Sequence, residues 1–237
     1  MRIPRKIDDK LRDAIVNIQF VPKVPVDTVV GVFFSLLKED FDAISLGTVN
    51  SIHLDQFTIQ PQQSFYIHKG GRFRVDVTSN SITFNLTDKY YGWEEYFKVI
   101  KRTLGLLFEN EVIGKINRIG VRYISIFEKV RIFDNIVPNI SFAPFDGQSS
   151  RGQFRIEIDR DDFLAIVSIV NAYPLVLENN SSDVFSVVDI DIIKAINATN
   201  ETFAGVLDII QRAHYEQKQM FFSLLKKEFI NSLNPEF

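Results

Sequence analysis

The sequence predicts an α+β fold, with antiparallel strands in one or two sheets and long helices packed on one face. Three observations lead there. Phe73, Val75 and Val77 alternate with Arg72, Arg74 and Asp76, and Ile82, Phe84 and Leu86 alternate with Ser81, Thr83 and Asn85. Such polar-out, apolar-in alternation is the mark of antiparallel strands with one solvated face. The stretch Asn117-Arg118-Ile119-Gly120-Val121-Arg122-Tyr123-Ile124-Ser125-Ile126-Phe127 also alternates, with Ile119, Val121, Tyr123 and Phe127 on one side. Finally, apolar residues recur at spacings of three and four near positions 92–109 and 201–233, which places a stripe along each of two long helices.

In chain order, Ala14 to Val21 reads as a strand running into the Pro22…Pro25 bend. Asp27 or Thr28 is the expected cap of a first helix, since their oxygens can satisfy orphan N–H groups. That helix carries Val29, Val30, Phe33, Leu36, Leu37 and Phe41. Residues 42–56 are less regular, with Gly47 and Asn50 as breakers and His53 in a loop. A strand within Phe57 to Ile67 is interrupted near Pro61, and Gly70-Gly71 turns the chain into a hairpin. The second helix, about Gly92 to Glu109, buries Trp93, Tyr96, Phe97, Ile100, Leu104, Leu107 and Phe108. Asp183 to Ile193 is a further strand. A closing helix, about Glu201 to Leu233, carries the stripe Phe203, Leu207, Ile210, His214, Gln217, Phe221 and Leu224.

Two segments bear on domain organisation. Residues 134–150, rich in Asn, Pro, Gly and Ser, are linker-like and divide an N-terminal α+β half (1–133) from a C-terminal hairpin, strand and helix (151–237), unless the whole is one compact domain. The run Gly71-Arg72-Phe73-Arg74-Val75-Asp76-Val77 is echoed by Gly152-Gln153-Phe154-Arg155-Ile156-Glu157-Ile158. A duplicated unit and a chance likeness between amphipathic strands both account for it.

Composition narrows the function classes. The 237 residues are 46% apolar and 24% charged, as in ordinary globular proteins, and 22 Phe do much of the core filling. A net charge of -3 argues against broad, sequence-independent nucleic-acid binding, though not against a local basic patch. The lack of cysteine excludes disulfides, thiolate metal sites and cysteine nucleophiles. The N-terminal residues lack an apolar signal-peptide core, and no run of apolar residues is long enough to span a bilayer, so a cytoplasmic protein without membrane contact is expected.

Candidate site residues are few. Arg118 and Arg122 share a strand face, flanking Gly120, and such guanidiniums can grip phosphate or carboxylate at two points. They can equally be neutralised by Asp189 and Asp191, two apart on another strand, because charges away from water must be paired. The aspartates could instead hold a divalent cation, but no third ligand accompanies them. His214, within an apolar stripe, is either a hydrogen-bonded core histidine or a catalytic base lacking an evident nucleophile. Tyr90-Tyr91-Gly92-Trp93 is either a stacking platform for bases or a helix entry packed on the sheet. Phosphate-loop, dinucleotide, zinc-protease and serine-hydrolase motifs are all missing, and no cofactor is implied.

Four segments carry a family resemblance: the opening strand and helix, Ile15-Val16-Asn17-Ile18-Gln19-Phe20 through Phe41; Gly92-Trp93-Glu94-Glu95; Arg118-Ile119-Gly120-Val121-Arg122-Tyr123-Ile124; and Asp189-Ile190-Asp191 before a helix with His214, Phe221 and a terminal Asn-Pro. In this order they resemble a sporadically distributed prokaryotic family of similar length with no established function. Ser125 stands where that family often has Asn. The resemblance supplies no catalytic assignment, and the family's patchy distribution suggests accessory genes of the phage-defence or toxin–antitoxin kind.

The expected function is therefore a non-enzymatic binding or interaction protein whose partner is another protein or a second copy. A nucleotide or nucleic-acid site on Arg118, Arg122 and the Arg72/Arg74 or Arg155 faces is the alternative. A hydrolase using Asp189, Asp191 and His214 is the third.

Overall fold

A computed structural model describes the chain apart from residues 1, 2, 6, 9, 48, 49, 54, 55, 60–62, 88, 139–150, 177–181 and 198–200. The fold is mixed α/β, with a nine-stranded antiparallel sheet, a separate two-stranded sheet and several helices. The strands are β1 (Leu11–Pro22), β2 (Phe41–Gly47), β3 (Asn50–His53), β4 (Gln56–Ile59), β5 (Gln63–His68), β6 (Phe73–Val77), β7 (Ser81–Leu86), β8 (Ile113–Glu128), β9 (Gly152–Arg160), β10 (Phe163–Val176) and β11 (Ser182–Ala195). The α-helices are α1 (Val29–Leu37), α2 (Trp93–Glu109), α3 (Phe203–Leu224) and α4 (Lys227–Ser232). Among the described residues no helix is long and apolar enough to cross a membrane.

The chain forms two compact units. The N unit comprises Ala14–Val121 with Lys194–Gln211, and the C unit comprises Met1–Asp13, Arg122–Ile193 and Arg212–Phe237. The linker-like segment falls largely on residues 139–150, outside those described.

In the N unit the hydrogen-bonded order is β2-β5-β6-β7-β1-β8. Alternation puts Ala14, Val16, Ile18 and Phe20 of β1 on a fully buried face, opposite Asn17 and Gln19. Helix α2 covers that face. Its Tyr96 stacks on Phe73 at 5.3 Å and donates its hydroxyl proton to the Ala14 carbonyl at 2.8 Å. A fully buried phenol thereby keeps its hydrogen bond. Gly92 begins α2 at φ 99°, a conformation that side-chain-bearing residues rarely adopt.

In the C unit the order is β8-β11-β10-β9. Ala165, Val167, Ile169, Val188, Ile190 and Ile192 are buried on one face. A bulge in β10 follows Val170, where Ala172 takes φ 50°. The bulge is tied down by Ser186, whose hydroxyl accepts from the Ala172 N–H at 3.0 Å and donates to the Val130 carbonyl at 2.6 Å. The side-chain oxygen of fully buried Asn171 accepts the Phe133 N–H at 3.1 Å. The Ser186 hydroxyl and the Asn171 side-chain oxygen are thus hydrogen-bonded, as burial favours.

Several local expectations change. Neither Asp27 nor Thr28 caps α1 through its side chain; a 3₁₀ turn, Val26–Thr28, precedes the helix, and the Thr28 hydroxyl donates back to the Pro25 carbonyl at 2.7 Å. A hydroxyl that can bond its own preceding turn competes with capping. Phe41 opens β2 rather than ending the helix, and His53 closes strand β3 rather than lying in a loop. The closing helix is broken at Leu225–Lys226. There Lys226 is extended (ψ 144°) and its N–H donates to the Asn135 carbonyl at 2.8 Å, while Leu225 bridges Ile136. Helical spacing continues through the break, so periodicity alone does not reveal it.

Gly114 marks where β8 passes close to β1. A Cβ built there would lie 2.7 Å from the Val21 carbonyl oxygen, which is backbone and cannot swing aside. Gly114→Ala should therefore cost about 1–3 kcal/mol of stability. Urea denaturation of the two proteins checks it, and an unchanged midpoint would contradict the close approach.

Candidate functional site

Residue parity on β8 divides the candidate residues between two sheet faces. Arg118, Gly120, Arg122, Ile124 and Ile126 have one parity; Ile119, Val121, Tyr123, Ser125 and Phe127 have the other and are all buried.

Arg118 lies in the N unit, at the same parity of β8 as Arg122. Its guanidinium folds back over Gly120, whose Cβ position would lie 3.1 Å from Nη1 and 3.2 Å from Nη2. From there Nη1 donates to Asn17 Oδ1 at 3.0 Å, and Asn17 Nδ2 donates to Thr83 Oγ1 at 2.8 Å. Asn17 and Thr83 are directly opposite in the β1·β7 register. Gly120 is thus the floor on which the Arg118 guanidinium rests. Asn17 was missed as a site residue, although its place on the polar side of β1 was visible in the alternation.

Arg122 and Asp189, in the C unit, form a two-point ion pair. Nε donates to Oδ1 at 2.8 Å and Nη2 to Oδ2 at 2.6 Å. The Arg122 side chain is 35% exposed and that of Asp189 is 18% exposed, so the pair lies on a partly open face. Hydrogen bonding by Asp189 holds the guanidinium above its ordinary pKa, against burial, with the charges of Asp189, Asp191 and Asp13 adding to the effect. Register extends the row outward: Asp189 lies opposite Ser168, which lies opposite Arg155. In the next row Asp191 lies opposite Ile166, which lies opposite Glu157. Arg155 and Glu157 pair with each other at 2.7 Å.

His214, on α3, meets the other parity of β8. Its Nδ1 is 3.1 Å from the Tyr123 hydroxyl. Burial, with a smaller contribution from the Lys218 charge, pushes its pKa down to about 3. Lys218 is itself lowered by burial. The neutral imidazole and the phenol thus share one hydrogen bond, whose direction follows the ring's tautomer. The structure therefore joins Arg122 to Asp189 and His214 to Tyr123, and parity on β8 sets these two pairs on opposite sides.

The other arginines raised as anion contacts are also engaged. Arg74 makes two contacts with buried Asp76, at 2.9 and 3.0 Å, and Asp76 also accepts from Asn85 at 2.9 Å. The Arg72 guanidinium lies 4.3 Å above the Tyr91 ring centre. Trp93 stacks on Phe97 at 5.3 Å and meets Tyr96 edge-on, so these helix-entry aromatics pack against one another. Among the described residues no three His, Asp or Glu side chains are grouped as metal ligands.

Two predictions test these pairs. A double-mutant cycle on Arg122→Ala and Asp189→Ala should give a coupling energy of about 1–2 kcal/mol, above that of exposed surface pairs; a value near zero would mean the fork contributes nothing. For His214 the folded pKa lies below the unfolded one, so protons favour the unfolded chain. Its contribution to stability is complete above the ordinary histidine pKa and is lost as pH falls from about 6.5 toward 3. Between about pH 7 and pH 5 this amounts to about 2 kcal/mol. Urea melts at both pH values should lose that part of the pH dependence in His214→Phe, and equal slopes in both proteins would refute it.

No protein-family model matches this chain, and no curated protein matches its sequence.

Proposed function

We propose that this protein is a non-enzymatic interaction module that binds a protein partner, or a second copy, through the less buried sheet face of the C unit. One observation carries the reading. Leu164, Ile166, Val170, Val187, Ile124 and Ile126 are only half-buried there, around the Arg122–Asp189 fork. The opposite parity of the same strands is fully buried. A mixed surface of aliphatic side chains and preformed ion pairs suits a protein partner, which needs apolar contact with a polar rim.

The nucleic-acid alternative is weaker for a chemical reason. Phosphate binding draws on cations that release counterions. Here Arg122 and Arg74 are forked onto carboxylates, Arg155 is paired with Glu157, Arg118 rests on Gly120 and Asn17, and Arg72 lies over Tyr91. The hydrolase alternative needs His214 beside Asp189 and Asp191, whereas His214 meets Tyr123 at the opposite parity of β8. The resemblance to a sporadically distributed prokaryotic family supports a cytoplasmic accessory role of the phage-defence or toxin–antitoxin kind, the partner being a neighbouring gene's product.

The proposal extends to architecture: two similar halves, each with a long helix against the same sheet face. In chain order, β1 is followed, after α1 and β2–β4, by β5, β6 and β7 and then α2, while β8 is followed by β9, β10 and β11 and then α3. In each series the last strand pairs beside the first, β7 with β1 and β11 with β8. This correspondence equates β6 with β10, so the seven-residue echo, which aligns β6 with β9, does not mark equivalent strands.

Native mass spectrometry of the tagged protein drawn gently from its own host tests the function. A second polypeptide, or a second copy, should accompany the wild type and be lost in Ser168→Arg, which crowds the Asp189–Arg155 row, at unchanged melting temperature. A bare monomer from wild-type cells would overturn the reading.

A further inference from the structure

The N unit holds a cavity of about 180 Å³, smaller than the roughly 300–1,000 Å³ of drug-sized sites. Its walls come from three places: Asp40 and Phe41 at the entry to β2, His68 at the end of β5, and Lys98, Val99 and Arg102 along α2. Phe41 and His68 are direct partners in the β2·β5 register, so the sheet itself fixes one wall.

The donors in this cavity are oriented but not exhausted. Arg102 uses Nε on Asp40 Oδ2 at 2.7 Å, which aims the guanidinium and leaves its two terminal amino groups for another acceptor. The His68 ring sits edge-on to Phe41 at 5.3 Å and to Phe73 at 6.1 Å. Its Nδ1 accepts the Gly70 N–H at 3.3 Å, so the neutral ring bears its proton on Nε2 as a further donor. Lys98 reaches Glu95 at 2.6 Å and keeps its charge at the rim. Against one lining carboxylate there are two lining cations, and Phe41 and Val99 offer an apolar wall.

We propose that this cavity binds a small organic oxyanion, a carboxylate or phosphate ester, with its charged head on Arg102 and His68 and its short apolar body against Phe41 and Val99. The site is separate from the sheet face proposed above and does not depend on it. A guanidinium held by one carboxylate and still presenting a pair of N–H groups is suited to a two-point contact with such a head group.

The charges around His68 give the site a pH signature. Burial lowers its pKa; Asp40 raises it, and Arg102 and Arg72 lower it. A bound anion adds negative charge beside the ring, so binding and protonation reinforce each other, and affinity should rise as pH falls through the histidine range.

The experiment is an amide-shift titration of the full chain by NMR, with benzoate and phenyl phosphate as probes and benzyl alcohol as their neutral counterpart. Both anions should shift the amides of Phe41, His68, Val99 and Arg102 saturably, more tightly at about pH 5.5 than at about pH 7.5, while benzyl alcohol leaves them in place. Arg102→Gln should weaken binding about tenfold, and Asp40→Asn, which removes the competing carboxylate, should tighten it. The Arg102 side chain is 63% exposed, so its replacement should leave the fold standing. The tighter-binding anion identifies the head group. An equal response to benzyl alcohol, no saturable shift at these residues, or full binding by a folded Arg102→Gln protein would overturn the proposal.

Discussion

A guanidinium on a sheet strand has to be answered where it stands, and the structure depends on how β8 does this twice. Removing a cation from water costs several kcal/mol unless hydrogen bonds replace those lost. Arg122 is answered by a carboxylate on the neighbouring strand, a charge-assisted fork at 2.6 and 2.8 Å. Arg118 donates to the Asn17 amide oxygen at 3.0 Å, and the missing Cβ of Gly120 makes room for its planar group to lie flat against its own strand.

The opposite parity of β8 follows the rule for a packed interior. Tyr123 brings a hydroxyl into that interior, and the cost is met by its hydrogen bond with His214, which burial keeps neutral. Tyr96 makes the same kind of arrangement in the N unit through the Ala14 carbonyl. In each unit a helix presents a ring to the sheet with a polar atom hydrogen-bonded, Tyr96 Oη in one and His214 Nδ1 in the other, so the Phe-rich core accommodates these polar tips. Ser186 and Asn171 do this work at the β10 bulge, where the ladder itself is broken.

These pairings shape what the surfaces can offer. Arg122 and Arg155, paired with carboxylates, form ordered polar features among half-buried aliphatic side chains. The cavity beside His68 differs because its arginine is held by one nitrogen only, with the rest of the guanidinium still available. Interior pairing and surface availability are therefore alternatives for the same residue type, and geometry decides between them.

The sequence by itself determined which elements form and which side each residue takes. A period of two fixed the faces of β1, β6, β7 and β8, and a period near four fixed α2 and most of α3, because these depend only on local backbone geometry. It also supplied the idea that Asp189 and Asp191 neutralise Arg118 and Arg122, since residues two apart on a strand share a face, and of these the structure joins Arg122 to Asp189. Tertiary structure decided what periodicity cannot reach. Asn17 lies 101 residues from Arg118, and only the placement of β1 beside β8 made it the partner. The break between α3 and α4 was set by the Asn135 carbonyl and Ile136, and the strand around His53 by pairing with β4. His214 was legible as a polar residue in an apolar stripe, but its partner Tyr123 was not, because a hydrogen bond between a helix and a strand leaves no period in the chain.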